Sequence, residues 1–204
     1  MKIIKIADFP RKKLYEQYID AIQPICYATV NVDISQIVKY DKINPVMMYC
    51  IQNAAQKEKH FHYDFYNENE LVYYDNVCTN LVVVGNDGEL HYASIPYNER
   101  YDDFENDYIK ITKYCRENNA DYTLDNCAKI ETSTTTSVVF ESVQSGYGSK
   151  LLRPFLAWGK YEKKLFKSCV KITIRFHHAL LDGGIISRFF VYLQEELKKF
   201  KINS

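Results

Sequence analysis

The stretch that begins at Val170 constrains the fold of this chain more than any other. From Val170 to Phe176, apolar and polar side chains alternate strictly, as in a β-strand that buries one face. The turn-forming residues 182–184, Asp-Gly-Gly, come next. After the turn, apolar residues recur at helical spacing, at Ile186, Phe189, Phe190, Leu193, Leu197 and Phe200. A strand that turns into an amphipathic helix predicts a fold that mixes α and β elements.

The remaining sequence supplies further elements of both kinds. Strands are predicted over residues 3–6, 26–34, 60–66, 70–75, 81–84 and 132–140. Helices are predicted over residues 11–22, with Asp8 as a candidate cap, and over 44–56 and 96–117, and residues 145–149 are predicted as a loop. Because strands and helices are interspersed, we predict an α+β fold in which most strands do not pair in parallel.

The composition is that of an ordinary globular protein. The 204 residues, 47% of them hydrophobic and 25% charged, suffice for one sizeable core. No internal repeat or linker divides them, so we predict a single domain over 1–204. Lys and Arg together number 26, as do Asp and Glu, and without a basic surplus nucleic acid is not an expected partner. No signal sequence or long apolar run is present, so we expect a cytoplasmic protein that does not span a membrane.

Six cysteines occur, at positions 26, 50, 78, 115, 127 and 169. No two of them form a C-x-x-C pair, and their wide spacing does not match a zinc site. In a chain expected in the cytoplasm, we predict that they are reduced and mostly buried. We therefore expect neither a structural disulfide nor a metal site.

The candidate site lies at the end of the predicted strand, at His177 and His178. A strand that ends in a loop projects side chains into a cleft from a rigid support. Neutral histidine takes a proton from a hydroxyl near pH 7, and Asp182 follows four residues later in a tight turn. Spacing alone favours a simpler interpretation, in which the histidines are polar residues at a strand edge and Asp182 is a turn residue. A metal site is not expected, because no further ligands stand at characteristic spacing.

Residues 177–183, His-His-Ala-Leu-Leu-Asp-Gly, resemble the H-H-x-x-x-D-G signature of acyltransferases that use coenzyme A thioesters or carrier-bound thioesters. Further segments are similar to motifs of the chloramphenicol acetyltransferase family: 153–161 to F-A-P-I-x-T-M-G-K-Y, 139–142 to V-x-F-x-S-F, 44–47 to Y-P-x-x, 70–75 to E-L-V-I-W-D and 11–13 to R-K-E. The resemblance covers nearly the whole chain in order. It implies a two-layer α/β sandwich with a mixed sheet, and a homotrimer whose active sites lie between subunits.

The resemblance also implies catalytic roles. His178 aligns with the family's general base, and Ser133 with the serine whose hydroxyl stabilises the tetrahedral oxyanion. Asp182 aligns with an acid that pairs with an arginine to fix the loop, and Arg11 stands at that arginine's place. Because Ser133 lies in a run of Ser and Thr, the alternative is a hydroxyl that faces solvent. The ion pair matters only where it is shielded from solvent.

Other aligned positions concern the substrates. Lys160 and Tyr161 align with positions that contact coenzyme A, and Tyr18 and Ala157 with the acceptor pocket. The alternatives are a solvated charge for Lys160, a packing residue for Tyr161 and helix packing for Tyr18. The resemblance therefore implies acetyl-CoA as co-substrate, a small hydroxyl compound as acceptor and no metal.

The chain departs from the family pattern around the acceptor pocket. Gly184 and Ile185 stand where an aromatic residue and a histidine are expected, and Ala157 where a threonine holds a water near the oxyanion. Residues 134–137 and 86–91 also differ from the pattern. We hypothesise an O-acetyltransferase that moves an acetyl group from acetyl-CoA to a small acceptor by general-base catalysis in a ternary complex, with chloramphenicol as the default. The alternatives are an acyltransferase for another acceptor and a binding or regulatory protein on the same scaffold.

Overall fold

The computed structural model describes residues 1–40, 42–145 and 152–201, so that of the loop predicted over 145–149 only Ser145 lies in the described part. The strands are β1 (Lys2–Lys5), β2 (Ile25–Asp33), β3 (Tyr63–Asn67), β4 (Glu70–Tyr73), β5 (Val77–Val84), β6 (Leu90–Ile95), β7 (Ala128–Thr135), β8 (Phe155–Gly159), β9 (Glu162–Lys163) and β10 (Ser168–His177). The helices are α1 (Lys12–Tyr18), α2 (Ile43–Lys57), α3 (Tyr101–Asn118) and α4 (Gly183–Lys199), with 3₁₀ turns at Ile6–Asp8 and Lys59–His62.

The strands form a large and a small sheet. The large sheet is seven-stranded with the order β2-β10-β8-β7-β5-β6, and the short β9 also pairs with β10. In it β7 runs parallel to both β5 and β8, whereas the other pairs are antiparallel. The small sheet has the order β1-β4-β3 and is antiparallel. The predicted α+β fold with a mixed sheet is therefore confirmed.

The two faces of the large sheet have different surroundings. One face lies in the hydrophobic core, where Ile172 and Ile174 of β10 are fully buried together with residues of α2, α3 and α4. The opposite face is called the outer face here. It carries Glu131 and Ser133 of β7, Phe155 and Ala157 of β8, and Thr173 and Arg175 of β10, which stand level with one another in the strand register. The helices and the sheet thus form two layers, and β7, β8 and β10 present alternate residues to opposite sides.

The apolar stripe predicted from the sequence after residue 184 forms the buried side of helix α4. Its stripe of Phe189, Leu193 and Leu197 is 0–1% exposed, and α2 is its main helical neighbour. Burial of each such side chain contributes about 2 kcal/mol to folding, which outweighs any local preference of the helix. None of the helices in the described ranges is both long and apolar enough to cross a lipid bilayer.

Some element boundaries differ from the sequence-based predictions. Asp8 ends a 3₁₀ turn and does not cap α1, which Arg11 precedes without a side-chain cap. The strand predicted over 132–140 instead spans 128–135. Strand pairing sets the beginning of β7, because its residues pair with β5 from Ala128 onward. The strands β6 and β8 were not predicted, since neither carries a long alternating pattern.

The prediction of reduced cysteines is wrong for Cys78 and Cys127, which form a disulfide. The two residues are 49 positions apart in the chain. However, β5 and β7 are neighbours, and their register places Cys78 beside Lys129, close to Cys127. The pairing follows from strand order, which the spacing of cysteines along a sequence does not reveal. Among the free cysteines, burial raises the pKa of Cys50 and Cys115.

Candidate active site

The loop between β10 and α4 carries His178 and turns immediately after the strand. The N–H groups of Leu180 and Leu181 both donate to the carbonyl of His177, at 3.2 and 3.0 Å. The N–H of Ala179 donates to Nδ1 of His177 at 3.1 Å. Because Ala179, Leu180 and Leu181 are at most 2% exposed, the loop is part of the core. The first histidine is therefore a structural residue of the turn, and the second is the one that the turn presents.

Asp182 fixes the far end of this loop with both carboxylate oxygens. Its Oδ1 accepts a 2.9 Å hydrogen bond from the N–H of Ile185 and caps α4. Its Oδ2 pairs with Arg11, and a second guanidinium nitrogen of Arg11 donates to the carbonyl of Leu180 at 3.1 Å. Burial acts to raise the pKa of Asp182, but the Ile185 N–H and the Arg11 charge outweigh it and hold that pKa below its usual value. The Arg11 side chain is only 18% exposed, so the pair is partly shielded from solvent.

The His178 imidazole is half-buried and lies against two aromatic rings. The Tyr18 ring stacks on it with centroids 4.3 Å apart, and Phe176 presents its ring edge-on at 6.5 Å. The backbone N–H of His178 donates to the carbonyl of Pro24 at 2.8 Å. Nδ1 is buried and has no hydrogen-bond partner among the described residues. Nε2 is therefore the nitrogen that can meet an incoming hydroxyl, and the neutral ring then carries its proton on Nδ1.

A second charged cluster braces the start of α4 against the end of α2. Glu58 is 5% exposed and accepts a 2.8 Å hydrogen bond from Nε of Arg188. The Nδ1 atom of His60 lies 2.5 Å from the other oxygen of Glu58. Burial lowers the pKa of His60, against the opposing effect of Glu58. No sequence pattern predicts this cluster, since Glu58 and Arg188 are 130 residues apart. In the described part of the chain, no three His, Cys, Asp or Glu side chains are placed to hold a metal ion.

Ser133 lies half-buried on the outer face of the sheet, in β7. Ala157 of β8 is its register partner, and Thr173 of β10 stands one strand further on. The neighbouring Thr132 points to the core side and donates to the carbonyl of Asn80 at 3.0 Å. Strand alternation therefore turns Ser133 outward. Ala157 contributes only a methyl group, so the hydroxyl that the family pattern expects beside the serine is missing.

A cavity of about 710 Å³ opens where β8 ends, between the sheet and the start of α2. Its lining combines aromatic rings with cationic side chains: Tyr108, Trp158, Tyr161, Lys42, Lys160 and Lys163. The resemblance pointed to Lys160 and Tyr161, which line the cavity side by side. It missed Lys42, just before α2, and Lys163, on β9. Only the fold shows that these separated lysines face one space.

A single copy of the chain does not bring His178 and Ser133 together. Ser133 pairs with Ala157, which in turn pairs with Thr173. His178 is five residues beyond Thr173, which separates it from Ser133 by roughly 16 Å along the sheet and 10 Å across it. The cavity includes Val170 in its lining and so lies near the opposite end of β10 from His178. His178 and Ser133 thus lie at two different places in one copy of the chain.

This fold is shared with solved acetyltransferases. A chloramphenicol acetyltransferase structure matches with a TM-score of 0.81 and 20% identity, and the match covers 96% of this chain and 99% of that chain. A structure described as a probable dihydrolipoamide acetyltransferase from Listeria monocytogenes matches with a TM-score of 0.70 and 14% identity, over 94% of this chain and 92% of that chain. At these identities the likeness shows the fold alone, and it is a fold found in acetyltransferases.

Sequence relatives narrow this class to one family. The family model for chloramphenicol acetyltransferase matches residues 1–194. A chloramphenicol acetyltransferase from Clostridium perfringens is 31% identical over 196 residues, which cover 91% of this chain and 92% of the relative. One from Clostridioides difficile is also 31% identical over 196 residues, with 91% and 90% covered. The chain belongs to the chloramphenicol acetyltransferase family.

Proposed function

We propose that this protein transfers an acetyl group from acetyl-CoA to a hydroxyl of chloramphenicol and thereby acts in antibiotic resistance. The observation that carries the proposal is the construction of the His178 loop. Its imidazole is stacked on Tyr18, and its loop is held by the Arg11–Asp182 pair. The names of the relatives supply the acceptor. The family match over 1–194 supports treating residues 1–204 as one catalytic domain. We assign the protein to the cytoplasm, where acetyl-CoA is available.

The catalytic step follows from the two nitrogens of His178. Nε2 removes the proton of the acceptor hydroxyl as its oxygen attacks the thioester carbonyl carbon. The Ser133 hydroxyl donates a hydrogen bond to the oxyanion that forms. When the tetrahedral intermediate collapses, the carbon–sulfur bond breaks, and the proton held on Nε2 passes to the departing thiolate. General-base catalysis contributes about 10²–10⁴-fold to the rate, and one oxyanion donor about 10²–10³-fold.

The cavity beside β8 is the proposed site for coenzyme A. Its aromatic rings offer surfaces for the adenine base, and its lysines offer positive charge for the phosphates. Gly159 lies in the lining, and it is two residues beyond Ala157, the register partner of Ser133. The cavity therefore begins about 7 Å along β8 from the register partner of Ser133. Lys160 and Tyr161 are assigned to this site, and no metal takes part in the proposed chemistry.

The separation of the two regions supports an active site between subunits. Because His178 and Ser133 are at different places in one chain, a complete site needs His178 from one copy and Ser133 from another. We propose a homotrimer, the closed ring that the resemblance implies, in which each interface holds one such site. Tyr18 then belongs to the acceptor side together with the base on which it stacks.

Thiol release from acetyl-CoA in the presence of chloramphenicol tests the function. The wild-type protein should release thiol only when chloramphenicol is present, and His178→Ala should reduce the rate by about 10²–10⁴-fold. His91→Ala is the matched control, because His91 lies on β6 beside Asp87 and away from the site. Wild-type rates in His178→Ala would contradict the mechanism. Coenzyme A binding without any thiol release would point to an acyltransferase for another acceptor, and the absence of both would point to a binding or regulatory protein on this scaffold.

A further inference from the structure

Glu131 is a half-buried acid that the proposed mechanism does not use. It precedes Ser133 by two residues on β7, so both side chains project from the outer face of the sheet. Their positions along the strand are about 7 Å apart. In the neighbouring strand β8, Phe155 is the register partner of Glu131, as Ala157 is of Ser133. These four residues form a patch on the outer face with Ser133 at one corner and Glu131 at another.

Within the described residues, the Glu131 carboxylate accepts a hydrogen bond through one of its two oxygens. Its Oε2 accepts a 2.6 Å hydrogen bond from the side-chain amide of Asn80, and the Asn80 carbonyl oxygen accepts one from Ser94 at 3.0 Å. Its Oε1 lies 3.8 Å from a guanidinium nitrogen of Arg153, which is too far for a hydrogen bond. Nε of Arg153 donates to Asp64 instead, at 2.7 Å. The carboxylate is therefore oriented by Asn80 while Oε1 keeps capacity to accept a hydrogen bond.

The surroundings of Glu131 in the folded chain disfavour the ionised form of its carboxyl. Burial raises the pKa of Glu131, and the hydrogen bond from Asn80 and the charge of Arg153 oppose this only in part. A carboxyl whose pKa is raised on folding binds its proton more tightly in the folded state. Stability therefore falls as pH rises from the unfolded-state pKa through the folded-state pKa. An oriented acid in a position that costs stability is typical of a functional site.

We propose that Glu131 determines acceptor specificity, by accepting through Oε1 a hydrogen bond from a second donor group of the acceptor. The proposal rests on the proposed function, because Ser133 marks the place of the reacting carbon. The acceptor class is a hydroxyl compound that carries a further hydroxyl or N–H within reach of the Glu131 carboxylate. Phe155, beside Glu131 in the neighbouring strand, carries the Arg175 guanidinium over its ring at 5.1 Å and adds apolar surface next to the carboxylate. Chloramphenicol belongs to this class, since it carries a second hydroxyl and an amide N–H.

Steady-state kinetics of Glu131 variants test the proposal. Glu131→Leu removes the acceptor atom and should raise the KM for chloramphenicol roughly 10- to 100-fold, as expected for a hydrogen bond to a charged group. Glu131→Gln keeps a neutral acceptor atom and should have a smaller effect. The KM for acetyl-CoA should not change in either variant, and thermal stability at pH 7 should rise. Glu117→Gln, in an exposed part of α3, is the matched control.

The outcomes distinguish a failure of the Glu131 inference from a failure of the proposed function. If the wild type acetylates chloramphenicol and both Glu131 variants keep its KM, the inference is wrong and the function stands. If the wild type does not acetylate chloramphenicol, the function as stated fails, and a panel of alcohols with and without a second donor group decides the inference. Turnover only of donor-bearing alcohols, weakened in Glu131→Leu, supports it. Equal turnover of plain alcohols, or turnover of none, overturns it.

Discussion

The His178 loop and the Ser133 strand are assembled in different ways. The loop is held within one chain, by the Asp182 cap, the Arg11 pair and the stack on Tyr18. Ser133 lies on β7, and its side chain faces outward from the sheet. Its register partner Ala157 contributes only a methyl group, which does not orient the Ser133 hydroxyl.

This difference indicates how the proposed general base and the proposed oxyanion donor are each positioned. A general base must be oriented before the acceptor arrives, because its direction decides whether a proton is transferred. One chain can supply that orientation through local contacts. An oxyanion donor must instead be positioned relative to a base roughly 19 Å away in the same chain, estimated from strand geometry. In the proposed homotrimer, the contact between copies sets the distance from Ser133 to His178 of the neighbouring copy.

The largest predicted effect is the loss of activity when either His178 or Ser133 is replaced. Oligomers that mix the two variants should recover part of this activity. His178→Ala should lose about 10²–10⁴-fold and Ser133→Ala about 10²-fold in rate. When the two variants are expressed together, sites that combine an intact His178 with an intact Ser133 should form between unlike subunits. Random assembly should restore about a quarter of wild-type activity. Thiol release by the co-purified oligomers measures this recovery.

The control for this experiment pairs His178→Ala with the double variant His178→Ala/Ser133→Ala, which should remain inactive in every combination. A mixture of the single variants that is no more active than its components would show that both residues act within one chain. An active site shared between two copies would then be ruled out.

The second prediction concerns the disulfide that ties the Ser133 strand to its neighbour. Reduction of Cys78–Cys127 should lower the free energy of unfolding by about 4 kcal/mol, since the closed loop contains close to 49 residues. Urea denaturation with and without reductant measures the effect. The double variant Cys78→Ala/Cys127→Ala should be insensitive to reductant. A wild-type protein that is equally insensitive, with six titratable thiols, would restore the expectation of reduced cysteines.

The third prediction concerns the pH dependence of the loop. Because the pKa of Asp182 is lowered on folding, its stabilisation is fully present above the unfolded-state pKa of about 3.9 and is lost as pH falls through the folded-state pKa. Asp182→Asn keeps a capping side chain but loses the charge. The stability difference between wild type and Asp182→Asn should therefore be present at pH 7 and shrink toward pH 3. Denaturation at both pH values measures it.

Asp182→Ala also removes the cap and should cost a further ~1 kcal/mol. Its loss of activity should accompany this loss of stability. A variant that is inactive but as stable as the wild type would indicate that Asp182 takes part in the chemistry.

The smallest predicted effect is an increase in the rate of acetyl transfer. Ala157→Thr places a hydroxyl next to Ser133, and a β-branched residue suits a strand. The rate should rise by less than about tenfold, because a contact made through a water is weaker than a direct oxyanion donor. Ala157→Val is the matched control of equal shape without the hydroxyl. A rise in both variants would show that packing, and not the hydroxyl, is responsible.

Much of the fold and half of the site could be predicted from the sequence. The alternation in β10, the turn at Asp182 and the stripe of α4 are local patterns, and they placed His177 and His178 at the end of a strand, whereas the resemblance singled out His178. The resemblance added Arg11, Lys160 and Tyr161, which the structure places at the loop and in the cavity. Glu131 was missed, since a glutamate in a run of Ser and Thr carries no signal of its own.

By itself, the sequence determined most of the elements and the position of His178 after a strand, because periodicity and turn chemistry act between residues a few positions apart. The tertiary structure alone decided the Cys78–Cys127 pair, the Glu58–Arg188 brace and the patch of Glu131 beside Ser133. These depend on strand order and register, which arise when distant segments bury their apolar faces in a common core. For the same reason only the folded chain shows that His178 and Ser133 lie apart.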